Sequence, residues 1–75
     1  MAQAKIFVYR YLESDEEEDE EEDLTGSLEI PRVGDIIFRK EKVWRVAAVL
    51  VVPSDDPIPR FRLHLADMSR KEYLN

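Results

Sequence analysis

Apolar and polar positions alternate along most of the chain, and the period is two rather than 3.6, which predicts strands and no long helix. Residues 5–12, KIFVYRYL, open the pattern. Ile6, Val8 and Leu12 share one face with Arg10, and Phe7, Tyr9 and Tyr11 share the other. The expectation is a strand with Ile6 and Val8 in the core and the aromatic side partly covered. Residues 31–52, PRVGDIIFRKEKVWRVAAVLVV, hold most of the apolar mass. Val33-Gly34-Asp35 is a turn before an apolar run. Ile36 and Phe38 form a wholly apolar face opposite Ile37 and Arg39, and Lys40-Glu41-Lys42 is a tight polar turn. Residues 43–52 are rich in β-branched side chains. Arg45 marks a solvated face, so Trp44 and Val46 point inward. Beyond the Ala47-Ala48 pair both faces are apolar, and that pair is where a bend from one sheet into another is expected. Residues 60–66, RFRLHLA, alternate cleanly, with Phe61, Leu63 and Leu65 inward and Arg60, Arg62 and His64 outward. A short strand at residues 27–30, with Leu28 and Ile30 inward, ends at Pro31, which has no N–H for a ladder bond.

Five short strands in one chain of 75 residues predict a single all-β domain over 1–75, as an antiparallel five-stranded barrel or paired sheets. Residues 53–59 form a loop by composition. Asp67-Met68-Ser69 could start one helical turn, and residues 69–75 form a tail with Tyr73 and Leu74 as docking candidates. Gly34-Asp35, the Ile36-Ile37-Phe38 run, the tight turn and Trp44-Arg45-Val46 together resemble SH3-like small barrels. The resemblance covers residues 31–65 and implies a binding module, without assigning any binding residue.

Charge changes the picture. The net charge is −6, but residues 13–23 carry ten carboxylates, interrupted only by Ser14. The rest of the chain is basic, about +4, with seven acids against eleven Lys and Arg. A run of like charges with no apolar anchor is expected to be solvated and disordered. The acidic insertion, 13–26, is therefore expected to be a disordered loop between the first two strands.

Candidate chemistry is sparse. The chain has no cysteine, so disulfides, thiolate metal sites and cysteine nucleophiles are out. His64 is the only histidine and sits on the outward face; nothing organises it with Ser54 or Ser69. Two glycines cannot build a phosphate-binding loop. Asp15, Glu17 and Asp19 match the alternate spacing of a calcium loop, but Glu20 stands where its glycine should be. No catalytic residue, metal or cofactor is expected, so the chain reads as a non-enzyme. No apolar run is long enough to span a bilayer, and no leader is apparent, so no membrane partner and a cytoplasmic location are expected.

Two surfaces remain as binding candidates. The acidic one is Glu13, Asp15, Glu16, Glu17, Glu18, Asp19, Glu20, Glu21, Glu22 and Asp23, suited to a basic protein partner through charge-steered association. The basic one is Arg39, Lys40, Lys42, Arg45, Arg60 and Arg62, with Arg10, Tyr9 and Tyr11 near it, suited to nucleic acid. The first gives a protein-interaction module whose acidic loop engages a basic partner. The second gives a nucleic-acid-binding barrel restrained by that loop. Ile58, held between Pro57 and Pro59, is a lesser contact candidate. A monomer, or a weak dimer through an exposed edge such as residues 5–12, completes the expectation.

Overall fold

The computed structural model describes residues 3–14, 17–53 and 55–68. The expected tail at 69–75, and Ser69, Ser54, Asp15 and Glu16, lie outside them; of the helical turn expected at Asp67-Met68-Ser69, Asp67 is instead a strand residue and Met68 a turn residue. Five strands form one mixed sheet: β1 (Lys5–Tyr11), β2 (Glu18–Asp23), β3 (Ile36–Arg39), β4 (Lys42–Val52) and β5 (Arg60–Asp67). Their order is β2-β1-β5-β4-β3. No helix occurs among the described residues. The all-β expectation holds, but the purely antiparallel one does not: β1 and β5 run parallel at the centre, with Ile6 opposite Arg60 and Tyr11 opposite Leu65.

The sheet curls into a half-barrel because β4 bends. The ladder between β4 and β5 slips at Val46/Ala48, a bulge at the small Ala47-Ala48 pair where the sequence predicts a bend, although β4 stays in one sheet and does not pass into a second. A bulge increases local twist and inverts the facing that follows. Trp44 and Val46 are inward as expected. Beyond the bulge, Val49 rather than Ala48 or Leu50 packs on the core, and Leu50 is exposed.

The core consists of Phe7, Tyr9, Tyr11, Trp44, Val46, Leu63 and Leu65, with Ile37, Val49 and Phe61 packed against it. The Tyr11 and Trp44 rings lie 4.7 Å apart. The aromatic face of β1, expected to be partly covered, is thus the one that fills the concave side. Ile6 and Val8 are also buried, but on the convex side. The inner face of β3 carries Ile37 and Arg39, leaving its wholly apolar face outside, with Phe38 70 % exposed. Phenol and indole rings supply the volume that Ile36 and Phe38 would otherwise have filled.

The acidic run departs most from expectation. Residues 18–23 are not a mobile loop but a strand, antiparallel to β1 from Arg10↔Glu18 to Lys5↔Asp23. Residues 27–30, expected to be a strand, are irregular, and Leu28 and Ile30 are exposed. β1 cannot then serve as a dimer edge, because β2 and β5 flank it; the edges are β2 and β3.

Candidate interaction site

A strand with a carboxylate at every position is stable only if cations meet both of its faces. The alternation of side chains divides β2 accordingly. On the convex face, Glu20 accepts from Arg60 (2.7 Å), and Glu18 pairs with Arg10 (3.4 Å) and Arg62 (3.7 Å). Arg60 and Arg62 belong to β5, on the far side of β1, so these bridges cross β1 above Ile6 and Val8. Their aliphatic stems can cover those two side chains, in keeping with the burial of Ile6 and Val8 beneath a row of charges. The Arg62 Nε is buried there without a partner.

On the concave face, Asp19 accepts from Arg39 (2.7 Å) and Glu21 lies 3.7 Å from the same guanidinium. Arg39 also donates to the Tyr11 hydroxyl (3.2 Å) and stacks 3.9 Å above the Tyr9 ring. Lys40 pairs with Glu17 and lies over the Tyr11 ring. Arg39 belongs to one edge of the sheet and Asp19 and Glu21 to the other. The half-barrel is therefore bridged by side chains where a closed barrel would have backbone bonds.

These contacts set the protonation behaviour. Burial works against the Arg39 charge, but its bonds to Asp19 and Tyr11 outweigh this and raise its pKa. The same bond to Arg39 lowers that of Asp19. Burial, then the hydrogen bond to Glu21 and its charge, push the Tyr9 phenol up. Lys40 lowers Glu17 through their hydrogen bond.

Asp23 anchors the lower end. It is buried and pairs with Lys5 at 3.1 Å. It also accepts from the Thr25 hydroxyl and from the backbone N–H groups of Ser27 and Leu28. Burial would raise its pKa, but the Leu28 amide, Lys5 and Thr25 outweigh it and hold the group at about 2. The turn that follows needs Gly26: its φ is +69°, and a Cβ there would run into the backbone of Gln3.

The nominated basic residues are thereby resolved. Arg39, Lys40, Arg60 and Arg62 all meet β2 or the residue before it. Lys42 pairs with Asp67 (3.7 Å), and Arg45 stands exposed on the outer face. The turn holding Lys40 is a two-residue hairpin loop with φ of 52° at Lys40 and 61° at Glu41, a conformation usually left to Asn and Gly. Of the nominated carboxylates, Glu13 lies in the turn before β2 and Asp15 and Glu16 lie outside the described residues. His64 faces outward on β5 between the buried Leu63 and Leu65. No cluster suited to a metal ion occurs among the described residues. Ile58, half-buried, lines a shallow cleft of about 320 Å³ with Pro57 and Pro59.

The backbone of the two edges follows the ladder. The N–H of Tyr11 donates to Glu17, whereas those of Ile6 and Leu12 donate to Pro59 and Leu65. Odd residues of β1 therefore face β2, and by the antiparallel alternation Glu18, Glu20 and Glu22 turn their N–H and C=O groups to the open side. On β3, the carbonyl of Asp35 accepts from Val46, so Ile36 and Phe38 turn theirs outward. No family model, curated protein or solved structure matches this chain.

Proposed function

We propose that the chain is a non-catalytic protein-interaction module, and that its acidic element receives a basic, extended segment of a partner as an added strand on β2. One observation carries this reading. β2 is an edge strand, its outward backbone groups at Glu18, Glu20 and Glu22 lack partners in the ladder, and its side chains form an unbroken run of carboxylates. Strand addition draws affinity from backbone bonds and specificity from the flanking side chains. An acidic edge repels a second acidic edge and attracts a lysine- or arginine-bearing one.

The nucleic-acid reading has one supporting observation, that four of the six nominated cations are covered by the acidic segment. It requires β2 to leave the sheet, which would uncover Ile6 and Val8.

The test is titration of a short labelled peptide, alternating lysine and valine, followed by fluorescence anisotropy. Glu22→Pro removes an outward N–H without touching the β1 ladder, and Glu22→Gln controls for charge. Saturable binding that weakens with salt, falls slightly in Glu22→Gln and falls about tenfold further in Glu22→Pro supports strand addition, as expected for one lost hydrogen bond with its neighbours. Absence of saturable binding at low salt, or equal binding by the proline variant, ends the proposal. Preference for single-stranded DNA over the peptide would favour the second reading.

A further inference from the structure

Ile36 and Phe38 are exposed at 54 % and 70 %, although the core could have used two such side chains. They lie on the second open edge, β3, which the first reading leaves without a role. The two edges face each other across the mouth of the half-barrel, because Arg39 of β3 reaches Asp19 and Glu21 of β2. The strands themselves form no ladder. β2 runs down the sheet from Glu18, and β3 runs up it to Arg39, each with alternate backbone groups turned toward the gap. Arg39 crosses the gap on its concave side, and no backbone pairing joins the two strands.

We infer that the mouth between β2 and β3 is a slot for one extended strand, which pairs with both edges at once and closes the barrel. This inference rests on the strand-addition reading and extends it by naming the second edge and the ligand's pattern. The occupant is a partner segment of alternating basic and β-branched apolar residues. Its convex-face side chains lie between the carboxylates of Glu18, Glu20 and Glu22 and the apolar pair Ile36 and Phe38. A lysine serves both neighbours, with its ammonium toward β2 and its stem along β3. Alternation is required because each face of an added strand takes every second residue. A wholly basic segment would set its concave-face cations against Arg39 and Lys40, and a wholly apolar one would leave β2 unmatched.

The test needs no variant. Amide hydrogen exchange, resolved residue by residue by NMR, is measured with and without the lysine–valine peptide. The expected result is joint slowing at two sets of amides, Glu18, Glu20 and Glu22 on one edge and Ile36 and Phe38 on the other, by tenfold or more at saturation. Slowing at the β2 set alone overturns the slot and leaves one-edge addition standing. No slowing at either set, with the peptide bound, overturns both. Phe38→Pro provides a second check: folded by the near-ultraviolet signal of Trp44, it should weaken the peptide as much as Glu22→Pro does. Unchanged affinity in a folded Phe38→Pro protein also overturns the slot.

Discussion

The two edges of the sheet solve the same problem by opposite means. Both β2 and β3 end the sheet with unpaired backbone groups, which invite association with other chains. β2 is guarded by charge: a carboxylate at every position, five of the six paired in place with Lys5, Arg10, Arg39, Arg60 and Arg62. β3 is guarded by brevity, with four residues and two exposed apolar side chains. The difference teaches that an acidic run does not have to be solvent-directed. Here it is the outer wall of the fold, held by cations projecting from three other strands or their ends.

The sharpest break of that comparison is charge reversal. Glu18→Lys combined with Glu20→Lys sets cations against Arg10, Arg60 and Arg62 and breaks the bridges above Ile6 and Val8. A loss of about 3 kcal/mol is expected from the two reversals together, a large share of the stability of a domain this small; far-ultraviolet circular dichroism across a thermal scan reads it. Arg45→Glu, beside the β3 edge, should shift stability by less than about 0.5 kcal/mol. Equal effects would erase the distinction between the edges.

Removing the bridge between them comes next. Arg39→Ala loses bonds to Tyr11 and Asp19 and the stack on Tyr9, with an expected cost of about 2 kcal/mol in urea unfolding. Arg39→Lys should recover only part of it, since a single ammonium cannot fork between two carboxylates and a phenol. Full rescue by lysine would show that the bridge is charge alone.

Acid should weaken the β2 edge before it touches β3. Asp23, Asp19 and Glu17 all have folded pKa values below their ordinary ones. Their contribution is therefore complete above the unfolded values of 3.8 and 4.5 and is lost as pH falls through the folded ones. Stability should decline below pH ~4.5 and continue to fall toward pH 2, where Asp23 protonates. Asp23→Asn should flatten the lowest part of that limb in a pH series of chemical unfolding; an unaltered limb would clear Asp23 of any part in it. The smallest effect belongs to the hairpin tip: Glu41→Gly relieves a positive φ and should stabilise by about 0.5–1 kcal/mol. A loss of stability on that change would mean Glu41 makes a contact that outweighs its backbone strain.

Legibility followed the hydrophobic signal. Residues 60–66 and Trp44 with Val46 could be oriented from alternation alone, because one face of each carries charge. The bend at Ala47-Ala48 could be placed because both faces turn apolar there. β1 is a central strand buried on both sides, so alternation between Ile6/Val8 and Phe7/Tyr9/Tyr11 carried no preference. β2 was illegible by hydropathy, since a strand acidic on both faces shows no period. Its signature lay elsewhere, in cations spaced two apart at Arg60 and Arg62 and in the Arg39-Lys40 pair, each waiting for an alternating carboxylate. Alternation also hides the relation between the two candidate sets: the acidic and basic residues are largely each other's partners.

The parallel pairing of β1 with β5 has a consequence in time. Three antiparallel pairs, β1 with β2, β3 with β4 and β4 with β5, join strands consecutive in the chain, whereas the centre of the sheet joins Ile6 to Arg60. Non-local parallel pairing is slow because loop closure precedes its reward. During synthesis the first hairpin therefore leaves the ribosome with the inner faces of Phe7, Tyr9 and Tyr11 uncovered, and it stays so until β5 emerges. In that interval its row of carboxylates acts as the chain's own guard against aggregation, before it serves as a wall. Pulse-labelled exchange during refolding would show this order, with amides of Ile6 and Leu12 protected last; protection of those two ahead of the hairpins would reverse it.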